Sequence, residues 1–300
     1  MSKNGNNLGN APGLRAVKFS RDWITRPFFA VLLAAVAIFA IFKGPPYLEI
    51  AAAVAVFLAG WEWHRMVGHG RFFAELAMAT LMVGLSLSAF IIWPRDHLLP
   101  LMLLGSGTVA VFTVALLRRN NPLWHGAGVL YFGLPALAII ALRDFEPRGH
   151  GEWVVIGLFL IVWATDTGAL FCGNLIGGPR LAPVLSPNKT WAGFLGGMIS
   201  AAVVEAVFLI LLKVVVLKGP VDWHLASCGA LFGGAMAVIA HLGDLFESWA
   251  KRCFHVKDSG SMIPGHGGVL DRIDSTLATL VVLAVLVLVF KLDPLFGAFS

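Results

Sequence analysis

Charge is scarce in this chain. Asp, Glu, Lys and Arg together make up 13% of its 300 residues, where a soluble globular protein carries roughly 25%. With 58% hydrophobic residues and a mean hydropathy of +0.82, that scarcity excludes an ordinary water-soluble domain and implies a polytopic membrane protein. Cysteine is sparse too. Cys172, Cys228 and Cys253 are odd in number and lack CxxC spacing, which argues against a disulfide framework or a thiolate zinc site and leaves them as small apolar filler. HxxxH spacing, a Walker A sequence and a Ser-His-Asp arrangement are also missing. The net charge of +5 is not read as a nucleic-acid signal, because Lys and Arg collect in the cytoplasmic loops of membrane proteins.

Long apolar runs fill the space that charge leaves. A helical span takes about 20 mostly apolar residues, and nine stretches qualify with soft boundaries: 27–43, 47–63, 73–93, 98–117, 127–142, 152–172, 191–217, 225–243 and 275–292. The expected fold is therefore all-α and polytopic, with about nine transmembrane helices. It forms one membrane-embedded domain over 27–300 behind a polar N-terminal arm, 1–26. The first run follows a basic segment, as in a signal peptide, but no small-residue cleavage site follows it, so it reads as an uncleaved span. The fifth run is short and fits a tilted, re-entrant or protein-buried helix. With the N-terminus placed in the cytoplasm, 15 of the 22 Lys and Arg residues fall on the inner side, the bias expected of that orientation. The loops at 173–190 and 243–274, two spans apart, then share the cytoplasmic face.

The window Gly243–Ser275 departs most from the rest. It gathers Asp244, Glu247, Asp258, Asp271 and Asp274 with Lys251, Arg252, Lys257 and Arg272, and adds His255 and His266. Ionisable groups at or inside a membrane are costly and rarely idle. If the eighth span continues as helix, Asp244, Glu247, Ser248 and Lys251 share one face. Asp271 and Asp274, three apart, share another at the mouth of the ninth span. Between them, glycines and Pro264 permit close approach of backbone to a ligand. Mg²⁺ prefers oxygen donors and binds through one or two carboxylates together with substrate phosphates. The cations would neutralise a polyphosphate. His266, between glycines beside the acids, is a candidate ligand contact.

A second constellation runs from Trp163 to Gly193. Asp166 lies inside an apolar span, which makes it a functional candidate by default; satisfaction by the Thr165 and Thr167 hydroxyls is the plainer account. Ser186, Lys189 and Thr190 offer hydroxyl, ammonium and backbone donors to phosphate where the seventh span begins. Glu205, in the middle of that span, has no evident partner and would face the protein interior or a dimer seam. Glu62 and Trp191 read as membrane-border residues. His241 reads as packed.

At these residues the chain resembles the phosphatidate cytidylyltransferases, or CDP-diglyceride synthetases. Their signature has the form S-x-[LIVMF]-K-R-x4-K-D-x-[GSA]-x2-[LIF]-[PGS]-x-H-G-G-[LIVMF]-x-D-R-[LIVMFT]-D. Ser248, Lys251, Arg252, Lys257, Asp258, Gly260, Ile263, Pro264, His266, Gly267, Gly268, Val269, Asp271, Arg272, Ile273 and Asp274 fit it, and only Ala250 departs. DTGA at 166–169 and SPNKTW at 186–191 resemble the family's DTGAY and SPKKTWEG, with Leu170, Asn188 and Ala192 as departures. The resemblance runs from Arg26 onward. It implies transfer of cytidylyl from CTP to phosphatidic acid, giving CDP-diacylglycerol and pyrophosphate in phospholipid biosynthesis. It also implies a homodimer among membrane lipids, with its site open to the cytoplasm and to lipid, and the short N-terminal arm fits a bacterial inner membrane better than an organellar one. Asp244, Asp271 and Asp274 are the carboxylates it implies at a Mg²⁺ centre, with room for a second, monovalent cation such as K⁺. Catalysis is then expected of Asp244, Lys251, Asp271 and Asp274. Substrate binding is expected of Asp166, Ser186, Lys189, Thr190, Ser248, Arg252, Lys257, His266, Gly267, Gly268 and Arg272. Two rival readings are a lipid kinase acting on a polyprenol-like alcohol, which would need a base for its acceptor, and a transporter with an ion site at Asp166 and Glu205.

Overall fold

The computed structural model describes residues 22–93, 96–144, 150–260, 262 and 267–298. Over these residues the chain runs through α1 (Asp22–Lys43), α2 (Tyr47–Val67), α3 (Phe73–Ile92), α4 (Leu98–Leu117), α5 (Pro122–Arg143) and α6 (Gly151–Leu175). A short hairpin follows, β1 (Arg180–Ala182) and β2 (Ser186–Thr190), and then α7 (Trp191–Leu211), α8 (Trp223–Cys253) and α9 (Leu270–Ala284). Both α7 and α9 run on into a π-helical turn, Leu212–Val216 and Val285–Val289. Among the described residues, seven helices are long and apolar enough to cross a membrane, and the chain is a multi-pass membrane protein. The two expected spans outside those seven are α1 and α2. In α1 the apolar part Val31–Lys43 is shorter, and α2 carries Glu49, Glu62, His64 and Arg65.

Local chemistry explains where the helices begin. Pro122 opens α5, where a missing N–H leaves no helical bond unmade. The Asp222 carboxylate accepts from His224 N and Leu225 N at 3.0 and 3.1 Å and caps α8. Thr190 Oγ1 accepts from Gly193 N at 3.0 Å and caps α7. The α8 helix has 31 residues and so is roughly 46 Å long, more than the ~30 Å hydrocarbon layer needs. It therefore carries its C-terminal charges out of the apolar layer on a rigid support.

Two features position the site. First, α6 packs on α7, and α7 on α8, through small residues. A Cβ added to Gly168 would strike Ser200, and one on Gly196 would strike Cys172, the close backbone approach that small residues allow within membranes. Glu205 lies in this seam, buried against Gly157 and Gly233, so it faces the protein interior. Second, α5 is the inner helix of the other half, contacting α2, α3, α4, α6 and α9. The fifth run is thus a protein-buried span, and it is longer than its apolar stretch suggests. Its first turn carries His125, whose ring stacks on His64 with Nδ1 atoms 2.7 Å apart.

Candidate functional site

The C-terminal ends of α2 and α8, the N-terminal ends of α7 and α9, and the hairpin meet at one end of the bundle. Glu62 ties α2 to the segment after α8 and to the start of α9. It is only 1% exposed and accepts from Ser259 Oγ at 3.0 Å, Val269 N at 3.0 Å and Leu270 N at 2.9 Å. The last two are backbone donors at the start of α9, where a carboxylate satisfies orphan N–H groups and the positive end of the helix dipole. Gly260 and Gly268 close on it: a Cβ on Gly260 would meet Glu62 Oε1, and one on Gly268 would meet Ser259 Oγ. Glu62 is therefore a buried acceptor that joins α2 to Ser259 and to the start of α9, and not a bystander at the membrane border. Glu62→Ala is expected to leave three donors without an acceptor, at about 1–3 kcal/mol for each buried unsatisfied group. The result would be a lower melting temperature in detergent, with Glu62→Gln intermediate.

Next to this clamp lies a centre of acids bridged by lysines. Lys251 Nζ sits 2.5 Å from Glu247 Oε2 and 2.9 Å from Asp271 Oδ1. Glu247 is 1% exposed and Lys251 14%, so this is a buried ionic triad. Asp271 accepts further from Gly268 N at 2.9 Å and from Ser259 N at 3.3 Å. Lys189 Nζ, carried in by β2, lies 2.5 Å from Asp244 Oδ2. Asp274 is buried. Its Oδ1 accepts from the Ser275 N–H at 2.8 Å, and it lies in the field of Asp244, Glu247 and Asp166. Asp166 in turn interacts with Asp244, Lys189 and Arg272.

The structure thus brings Asp166, Lys189, Asp244, Lys251, Asp271, Arg272 and Asp274 into one electrostatic unit and adds Glu247 to it. Gly267, at φ +83°, and Gly268 form the turn that delivers a backbone donor to Asp271. Thr190 is buried as the α7 cap. Ser186 pairs with Ala182 in the hairpin. Ser248 is half-buried on the α8 face beside Glu247. Arg252 is exposed and donates to Val256 O at 3.1 Å, folding over the end of α8. Lys257 is exposed in the loop that follows. His266 lies outside the described residues. His241 packs on Phe194 with ring centroids 4.9 Å apart. Among the described residues no three His, Cys, Asp or Glu side chains already converge as a cation-ligand set. The carboxylates nonetheless outnumber the cations Lys189, Lys251 and Arg272, and oxygen donors in excess of positive charge suit a hard divalent cation.

Fold and site together define a multi-pass helical membrane protein with a paired acid–lysine centre at one end of its bundle. Residues 24–290 match the model of the cytidylyltransferase family, and the chain belongs to that family. It is 44% identical over 155 residues to the phosphatidate cytidylyltransferase of Brucella suis biovar 1, covering 52% of this chain and 53% of that protein. The chain thus spans about half the length of this relative. The phosphatidate cytidylyltransferase of Staphylococcus saprophyticus is 36% identical over 197 residues, covering 65% of this chain and 72% of that protein. That of Staphylococcus haemolyticus is 35% identical over 217 residues, covering 72% and 78%.

Proposed function

We propose that this protein is a CTP:phosphatidate cytidylyltransferase that makes CDP-diacylglycerol and pyrophosphate. The observation that carries the reading is the lysine-bridged acid centre at one end of a lipid-embedded bundle. There, Lys189 and Lys251 are held by Asp244, Glu247 and Asp271. Family membership and the names of the relatives support the same chemistry.

One substrate is a soluble polyanion and the other a two-chain lipid, so the reaction belongs at headgroup level. The lipid phosphate is already ionised. One of its oxygens forms the new bond to the α-phosphorus of CTP as the bond to the β-phosphate oxygen breaks, and that electron pair leaves on pyrophosphate. No nucleophilic side chain is required. What the protein must supply is orientation of two anions and stabilisation of charge on the leaving group. Lys189, Lys251 and Arg272 are the cations for that work. Asp271 aims Lys251, and the Gly268 and Ser259 N–H groups fix Asp271.

The excess of carboxylate supports Mg²⁺ as the cofactor, held by Asp244 and Asp274 with Asp271 alongside, and a monovalent cation such as K⁺ would be accommodated by the same oxygens. When bound, the metal neutralises phosphate charge. We further propose a homodimer in a bacterial inner membrane, with this end of the bundle in the cytoplasm where CTP is found. The test is transfer of labelled cytidine from CTP into extractable lipid by purified protein in phosphatidate micelles. A chelator should abolish it and added Mg²⁺ should restore it. Transfer unaffected by chelation would remove the metal, and no transfer from folded protein would remove the reading.

A further inference from the structure

Beside the acid–lysine centre lies an open cavity of about 460 Å³, within the range of pockets that take small ligands, ~300–1,000 Å³. Its walls come from the end of α2 with the turn after it (Arg65, Met66, Phe72) and from the loop after α8 (Val256, Asp258, Ser259). None of these residues belongs to the centre described above, except at one point. Ser259 lines the cavity and also gives its backbone N–H to Asp271. A ligand seated in the cavity is therefore one residue from the carboxylate that aims Lys251.

The lining has a definite chemical character. Met66, Phe72 and Val256 supply apolar surface for a flat ring. Arg65 and Asp258 are exposed into solvent, and neither pairs with another side chain among the described residues. Glu62 and its bonds hold the Ser259 wall in place. Resting on the proposed use of CTP, we infer that this cavity is the subsite for the nucleobase, with Asp258 and Arg65 reading the edge of cytosine. Cytosine presents an amino donor at N4 and acceptors at N3 and O2. A carboxylate accepts from N4–H, as Asp and Glu do when they read cytosine elsewhere, and a guanidinium donates to N3 and O2. Uracil reverses the pattern at two positions: its O4 would face the Asp258 carboxylate, and its N3–H would face the Arg65 donors. The same two side chains that welcome one pyrimidine thus repel the other.

The experiment measures kcat/KM for CTP and for UTP in phosphatidate micelles with wild type, Asp258→Asn and Arg65→Gln, and the melting temperature of each. Asparagine can accept from a cytosine amino group and donate to a uracil carbonyl. Asp258→Asn is expected to lower the CTP-to-UTP ratio by about ten- to a hundredfold, the discrimination carried by one good base-edge contact. Arg65→Gln is expected to lower it in the same direction and carries the same test if the first variant fails to fold. A ratio unchanged in both variants would overturn the subsite, even if both rates fell together, because that pattern belongs to a merely structural or phosphate-binding role. Wild-type protein that transfers neither nucleotide would remove the reading on which the subsite rests, and the subsite with it.

Discussion

Lys251→Met is expected to destabilise the protein by about 3–5 kcal/mol, the usual consequence of removing one partner from a buried ion pair, and to abolish turnover. Lys251 is the ion-pair partner of Glu247 among the described residues, and Glu247 is 1% exposed. Without the ammonium group, Glu247 must either hold an uncompensated charge or take up a proton. Asp271 also loses a donor 2.9 Å away. Stability and chemistry separate in the double variant Lys251→Met/Glu247→Met. Two apolar side chains replace a buried pair, which is often neutral or stabilising. Melting temperature should therefore recover toward wild type while cytidylyl transfer stays absent. A double variant as unstable as the single one would show that the pair is not the source of the loss. Recovery of activity with stability would remove Lys251 from the chemistry.

Asp271→Asn is the second large effect. The side chain keeps its shape, so the bundle should fold and the melting temperature should move little compared with Lys251→Met. The asparagine amide, however, presents one acceptor oxygen where the carboxylate presents two. Asp271 now accepts from Lys251, Ser259 N and Gly268 N together. An amide NH₂ turned toward any of these donors repels it, so Lys251 loses its aim and Ser259 and Gly268 lose their shared acceptor. Misplacement of a single positioning group costs a reaction of this type about 100-fold or more, and loss of charge at the centre adds to that. Turnover is expected to fall below detection in the labelled-CTP assay. Near-normal turnover would place the reacting phosphates away from Asp271.

Much of this site was legible in the sequence because membrane helices tolerate so few charges. The acids and bases of 243–275 stand out against apolar surroundings, and the i, i+3, i+4, i+7 pattern from Asp244 to Lys251 needed only that α8 continue beyond the apolar layer, as it does to Cys253. The short fifth run was ambiguous for a physical reason. Its first turn, which starts at Pro122 and carries His125, looks like loop until His125 is found stacked on His64 inside the protein. The role of Glu62 was hidden because its partners Ser259, Val269 and Leu270 lie about 200 residues away, and a single acid between two tryptophans carries no local signal of that. Only the placement of an acid inside an aromatic run, a costly position for a charge, could have marked it. The hairpin was missed because β1 and β2 are too short for an alternating pattern to register, yet β2 is what delivers Lys189 to Asp244. Glu247 looked like one more charge on the α8 face, and only its burial against Lys251 sets it apart.

The proposed reaction passes a cytidylyl group, not a phosphoryl group, to the lipid. The most direct measurement supplies purified protein with phosphatidate, Mg²⁺ and CTP labelled at either its α- or its γ-phosphorus, and counts label in the extracted lipid. α-Label is expected to enter lipid, and γ-label to leave entirely with pyrophosphate. Label from the γ-phosphorus in lipid would contradict that reaction and make the protein a kinase.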